Sequence, residues 1–231
     1  MRWNLKEQPN KAKINKLSEE LSINKTLASI LVQRGIETFE QAKAFFRPSL
    51  KQLHDPFLMT DMTEAVARIE QAISKGENIM VFGDYDVDGT TAVSLVASYL
   101  KTYYENIATY IPDRYAEGYG VSYMGIDYAS DNDISLIIAL DCGIKAIDKV
   151  AYAKEKGVDF IICDHHRPGK QIPDAIAVLD PKRDDCNYPY KELSGCGIGY
   201  KLACAFCLQN GYDLELVNNY LALVTIAIGC D

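Results

Sequence analysis

The sequence is short of histidine, of long apolar runs and of positive charge, and each shortage narrows what it can do. Histidine occurs three times, as His54 and the adjacent His165 and His166. His54 lies in a stretch without periodicity and reads as incidental. No apolar run approaches the roughly 20 residues needed to cross a bilayer. The opening Met1-Arg2-Trp3-Asn4-Leu5-Lys6-Glu7 also lacks the apolar centre of a signal peptide. No membrane association is expected, and the expected compartment is the cytoplasm. Lysine and arginine number 24 against 32 aspartates and glutamates, for a net charge of −8. That balance argues against a surface that holds nucleic acid by bulk electrostatics. It leaves a nucleic-acid substrate open, because part of the acidity belongs to a metal site, where a bound cation reverses the local sign. The seven cysteines are an odd number scattered through apolar or glycine-rich surroundings, which suits reduced thiols rather than a disulfide frame. Cys204-Ala205-Phe206-Cys207 has metal-site spacing but no second pair to close a zinc site, and reads as packing.

With 231 residues, 48% of them hydrophobic, the chain can bury a sizeable core in one large domain plus an appendage. Residues 11–48 are helical in pattern and polar-rich. Within them, 22–32 offers a capping residue and apolar positions at helical spacing, ended by Gly35, and Thr38 with Gln41 forms a capping box for a further short helix. Residues 51–60 read as a linker, after which Asp61 caps an amphipathic helix closed by Gly76. From there strands (79–82, 107–111, 136–140, 160–163, 175–179) alternate with helices (90–104, 122–129, 146–156, 198–208, 214–228). Short, continuously apolar strands between helices imply an α/β fold with a parallel sheet covered on both faces. The expected organisation is a small helical appendage with linker, residues 1–60, followed by a three-layer α/β/α domain, residues 61–231.

The informative stretch is Ile79-Met80-Val81-Phe82-Gly83-Asp84-Tyr85-Asp86-Val87-Asp88-Gly89-Thr90-Thr91, an apolar run that breaks into alternating aspartates. Carboxylates this close repel unless a cation lies among them, and Mg²⁺ and Mn²⁺ prefer carboxylate and water oxygens. An EF-hand calcium loop would need a glutamate at its twelfth position, where Leu95 stands, and a helix before it rather than a strand. A haloacid-dehalogenase-type phosphatase would use Asp86 as nucleophile and Asp88 as general acid. A two-metal phosphoesterase needs more ligands downstream. In a parallel sheet the ligand site lies beyond the carboxyl ends of the strands. Three strands there run into polar residues: Asp84, Asp86 and Asp88; then Asp141-Cys142-Gly143; then Asp164-His165-His166. Their convergence on one edge points to a shared metal site.

Asp164-His165-His166, taken with Asp84-Tyr85-Asp86-Val87-Asp88-Gly89, resembles the DHH phosphoesterase family. Further stretches are similar to the branch of that family that degrades single-stranded DNA. They are Tyr110-Ile111-Pro112-Asp113-Arg114-Tyr115-Ala116-Glu117-Gly118-Tyr119-Gly120, Leu179-Asp180-Pro181-Lys182-Arg183 and Ser194-Gly195-Cys196-Gly197-Ile198-Gly199-Tyr200-Lys201. The resemblance covers the chain from about residue 20 onward. It implies Asp86, Asp88, Asp141, His165 and Asp231 as ligands of two Mn²⁺ or Mg²⁺ ions, with Asp84 supporting them. It places His166 at the scissile phosphate and Arg114 and the loop of Ser194, Gly195 and Gly197 in contact with phosphate, the loop through open backbone amides. The implied activity is metal-dependent 5′→3′ hydrolysis of single-stranded DNA in repair and recombination. Short RNA or cyclic dinucleotides are the alternative substrates, and a non-catalytic nucleic-acid-binding domain the alternative role. Two positions depart from the family pattern: Phe82, where some members carry a histidine ligand, and Cys196, where a small residue is usual. The family's further substrate-binding domain is expected to be missing, and with it the groove that positions the strand, so this chain alone is expected to be weakly active or inactive. No feature specifies a protein partner.

Overall fold

The structure is a computed structural model that describes residue 7 and residues 9–231. Apart from Glu7, the opening stretch read above for a signal peptide lies outside the described residues. No helix among the described residues is long and apolar enough to cross a membrane. The chain forms two compact units that divide between Leu53 and His54.

The first unit holds α1 (Lys11–Leu21), α2 (Lys25–Gln33) and α3 (Phe39–Phe46) around Leu17, Ala28, Leu31, Val32, Ile36 and Ala42. Asn24 is the capping residue of α2, accepting the Leu27 amide through its side chain, while Ser22 ends α1 in the left-handed conformation. Thr38 and Gln41 form the expected reciprocal capping box of α3.

In the second unit α4 (Met62–Lys75) starts where its pattern begins, but Asp61 does not cap it. At φ 65° its carboxylate turns instead to the Val178 amide and the Arg183 guanidinium. A buried arginine and an unpaired strand amide compete better for this carboxylate than a solvated helix end does. Five strands follow: β1 (Asn78–Gly83), β2 (Ile107–Tyr110), β3 (Ile134–Leu140), β4 (Asp159–Cys163) and β5 (Ala177–Leu179). All pair in parallel, in the order β2-β1-β3-β4-β5.

Alternation along each strand feeds two cores. Ile79, Val81, Leu136, Ile138, Leu140 and Ile161 face one side, beneath α4, α5 (Val87–Lys101), α8 (Gly195–Gln209) and α10 (Leu221–Cys230). Met80, Phe82, Ile137, Ala139, Phe160 and Ile162 face the other, beneath α6 (Tyr123–Asp131) and α7 (Ile147–Glu155). Both faces are apolar because both are covered, which makes this the expected α/β/α sandwich. The expected helix over 214–228 is instead α9 (Glu215–Asn218) and α10, divided where the Tyr220 and Leu223 amides bond only three residues back. Six cysteines are buried and Cys230 is exposed, all as free thiols, so Cys204 and Cys207 pack as expected.

Candidate metal centre

The strand order reverses between β1 and β3, the place where an open parallel sheet leaves a crevice beyond its carboxyl ends. Asp84 and Asp141 leave the sheet at this crevice, with Asp164 one strand further along. The edge is stiff because the ladder continues past the strands: the Asp141 amide donates to the Cys163 carbonyl and the Asp164 amide to the Leu179 carbonyl. Asp141 then turns at φ 60°, an uncommon conformation for a residue with a side chain and one that clusters at functional sites.

The aspartates of the first motif have separate local tasks. Asp86 caps α5, its Oδ1 accepting the Gly89 amide, so this helix begins three residues earlier than its apolar pattern suggests. Asp88 thereby falls in the first turn of α5 and points across to α8. There Oδ2 accepts the Gly195 amide at 2.6 Å and Oδ1 the Cys196 amide at 2.8 Å. Ser194 caps α8 by accepting the Gly197 amide. The amides expected to be open to phosphate are therefore occupied and buried. A helix N-terminus attracts an anion, and here the anion is the protein's own carboxylate.

Asp84, Asp86 and Asp141 bring ligand atoms within 4.8 Å of one another, as do Asp88, His165 and Asp231, and as do Asp141, His165 and His166. His165 Nε2 joins the first two groups, 3.1 Å from Asp141 Oδ1 and 3.7 Å from Asp88 Oδ2, while its Nδ1 lies 3.8 Å from Asp231. Both oxygens of Asp84, Oδ1 of Asp141 and Oδ2 of Asp180 are buried without a hydrogen-bond partner. Orphaned buried carboxylates are costly, and a cation between them removes the cost. Oxygen and imidazole donors in this mixture suit Mn²⁺ or Mg²⁺, so the residues present fit the implied ions.

Charge follows burial here. Burial pushes the Asp141 carboxyl up to about 7 and that of Asp180 up to about 6. Burial also raises Asp84, against partial relief from the backbone of Tyr85 and Gly120. The Asp141 carboxylate 3.1 Å from Nε2 raises His165, and the Asp164 hydrogen bond raises His166. Burial works against Asp164 too, yet the His166 side chain and the Ile144 and His166 amides hold it below the usual carboxylate range. A raised folded-state pKa gives stability that is complete below the unfolded value and is lost as pH rises through the folded value. For Asp141 alone about 2 kcal/mol disappears between pH 5.5 and pH 8. The metal-free protein is therefore expected to melt roughly 4–8 °C lower at pH 8 than at pH 5.5. Calorimetry in a chelator would show this, and a higher melting temperature at pH 8 would contradict the assignment.

His166 stands apart from its neighbour. Its Nδ1 lies 2.7 Å from Asp164 Oδ1 and its Nε2 3.2 Å from the Tyr119 hydroxyl. Tyr119 meets Tyr85 edge-on, and the Arg114 guanidinium lies over the Tyr85 ring at 5.3 Å. Arg114 thus stays exposed and is tied to the site through two aromatic rings. Tyr119, Tyr85 and Asp180 shape the site without a role assigned from sequence, and Asp164, placed at the site edge by its strand, accepts from the His165 and His166 amides and holds the His166 ring. The strand-end rule applies to Asp180 as well, since it directly follows β5.

An open parallel α/β domain whose carboxyl edge gathers carboxylates and an imidazole pair defines a protein of the divalent-cation-binding kind. The chain belongs to the DHH family, whose N-terminal domain matches residues 78–228. It is 44% identical over 205 residues to the single-stranded-DNA-specific exonuclease RecJ of Bacillus subtilis, covering 89% of this chain and 26% of that protein. It is 31% identical over 180 residues to the Escherichia coli protein of the same name, covering 78% of this chain and 30% of that one. The crystal structure of RecJ in complex with Mn²⁺ from Thermus thermophilus superimposes with a TM-score of 0.76 at 25% identity, over 96% of this chain and 31% of that one. The chain thus spans about a quarter to a third of the length of these relatives.

Proposed function

We propose that the protein is a divalent-cation-dependent phosphodiesterase that removes nucleotides from single-stranded DNA in the 5′→3′ direction, acting in the cytoplasm in repair and recombination. The observation that carries this reading is the pair of ligand groups joined by His165: Asp84, Asp86 and Asp141 on one side, Asp88 and Asp231 on the other. Its support beyond geometry is the name shared by the curated relatives, single-stranded-DNA-specific exonuclease, and the Mn²⁺ in the related crystal structure. The chemistry is assigned to residues 61–231, with residues 1–60 as an appendage.

Asp86, Asp88, Asp141, His165 and Asp231 would hold two Mn²⁺ or Mg²⁺ ions, with Asp84 beside them. When bound, such ions lower the pKa of water and offset the charge that develops on a phosphoryl group. The remaining work falls to side chains. Asp164 fixes the His166 tautomer through Nδ1 and favours the protonated ring, so that Nε2–H can donate to a phosphate oxygen as charge grows there. Entry of that oxygen displaces the Tyr119 hydroxyl from Nε2. Arg114, held over Tyr85, supplies a guanidinium for a phosphate oxygen.

The deciding experiment offers 5′-labelled single-stranded DNA, short RNA and a cyclic dinucleotide to the protein in Mn²⁺. The DNA is expected to be shortened fastest, with mononucleotide released. Faster turnover of either rival would reassign the substrate, and cleavage that persists in chelator would remove the metal dependence.

A further inference from the structure

Two adjoining cavities of about 570 and 510 Å³ lie between residues 167–172, which follow His166, and residues 182–192. They share Pro168, Lys182, Arg183 and Asp184, so they form one open trough. Its cations are Arg167, Lys170, Lys182 and Lys191, and Arg183 is spent on Asp61, Asp185 and the Val178 carbonyl. Lys182 pairs with Glu192 at 3.2 Å, and Lys191 donates to the Cys186 carbonyl. Arg167 and Lys170 are exposed and have no ion-pair partner among the described residues. The lining also carries Asp184, Asp185 and Glu192, but Asp185 is held by Arg183 and Glu192 by Lys182, so the exposed charge is that of Arg167 and Lys170 against Asp184. In a protein of net charge −8, this local excess of cations marks a place for an anionic partner.

The position of the trough identifies the anion. Arg167 directly follows His166, and Lys182 lies two residues beyond Asp180, whose carboxyl feels the charges of Asp164 and His165. The lining of the trough therefore begins one residue beyond His166. We infer that this trough carries the phosphate backbone of a single-stranded nucleic acid beyond the scissile bond, with Arg167 and Lys170 as its principal phosphate contacts. The inference rests on the phosphodiesterase reading, because a polymer cut at the centre must leave it along some surface. The trough is polar and unroofed, which suits sequence-independent contact with repeated phosphates rather than capture of a base.

The test is the double variant Arg167→Gln/Lys170→Gln, two exposed positions outside the metal centre. Affinity for a fluorescent oligothymidylate is measured by anisotropy in a His165→Ala background, so that the strand is not cut. Cleavage of a 5′-phosphorylated dinucleotide is measured with His165 intact. The double variant is expected to bind the strand about ten-fold more weakly. Its log affinity should also depend on log salt with a slope shallower by about 1.4, as for two lost single-strand phosphate contacts. Dinucleotide cleavage should stay within about two-fold, since a single bond at the centre does not reach the trough. Unchanged affinity and slope, no strand binding by the parent, or an equal loss on the dinucleotide would overturn the inference. Polyglutamate binding as tight as the oligonucleotide would assign the trough to an acidic protein partner instead. If the unaltered protein cannot cut even the dinucleotide in Mn²⁺, it is the phosphodiesterase reading that fails.

Discussion

Asp88→Ala is expected to abolish Mn²⁺-dependent cleavage and, unlike substitution of the ligand His165, to weaken the fold. Losing a carboxylate from a metal centre removes several kcal/mol of transition-state stabilisation, roughly 10³-fold in rate. Asp88 also accepts the buried Gly195 and Cys196 amides at the start of α8. Deleting it orphans both, at about 2–4 kcal/mol, or roughly 5–15 °C of melting temperature at this chain length. His165→Ala makes the comparison. It should lose a similar share of activity with a smaller drop in stability, because none of its side-chain contacts satisfies a buried amide. Equal melting temperatures for the two variants in chelator would show that the carboxylate does not anchor α8.

Gly195→Ala and Gly89→Ala are the second pair of large effects, and both act through the absence of a single carbon. A Cβ on Gly195 would lie 2.5 Å from Asp141 Cβ and 2.8 Å from its Cα. A Cβ on Gly89 would lie 2.7 Å from the Asp84 nitrogen and closer still to the Asp84 carbonyl oxygen. In each case the obstacle is backbone or a short side-chain stem, so an aspartate of the metal centre must move. Overpacking of this kind costs about 1–3 kcal/mol. Misplacing a reacting group by about 1 Å costs on the order of 10²-fold in rate. Gly229→Ala, where a Cβ meets nothing within 4 Å, is the control. If Gly195→Ala and Gly229→Ala turn over substrate equally fast, the close approach of α8 to Asp141 is not needed.

Why the architecture could be read in advance, and part of the site could not, follows from the range of the forces involved. Strand runs such as 136–140 and 160–163 announce a buried parallel sheet because each residue must be apolar whichever face it meets. The strand-end rule then places Asp84, Asp141 and Asp164 on one edge, as found. What the sequence does not disclose is which buried donor each carboxylate meets. Asp61 looks like a helix cap and instead serves the Val178 amide and Arg183, 117 and 122 positions away. The amides of Gly195 and Cys196 look open and are closed by Asp88, itself 107 and 108 positions away. Local spacing sees only the nearer of two competing partners. Tyr119, set between Gly118 and Gly120, gives no signal that its hydroxyl meets His166.

The clasp between Asp88 and the start of α8 also bears on the order in which the molecule is assembled. A carboxylate whose charge is already shared with a helix end does not need a cation to tolerate its burial. The peptide is therefore expected to reach its final shape first and take up ions afterwards, in contrast to small zinc domains that fold around their metal. Stripping and reloading the ions should then be reversible. In hydrogen exchange the Gly195 and Cys196 amides should remain slow in both conditions, as timekeepers of a scaffold that waits for its cargo.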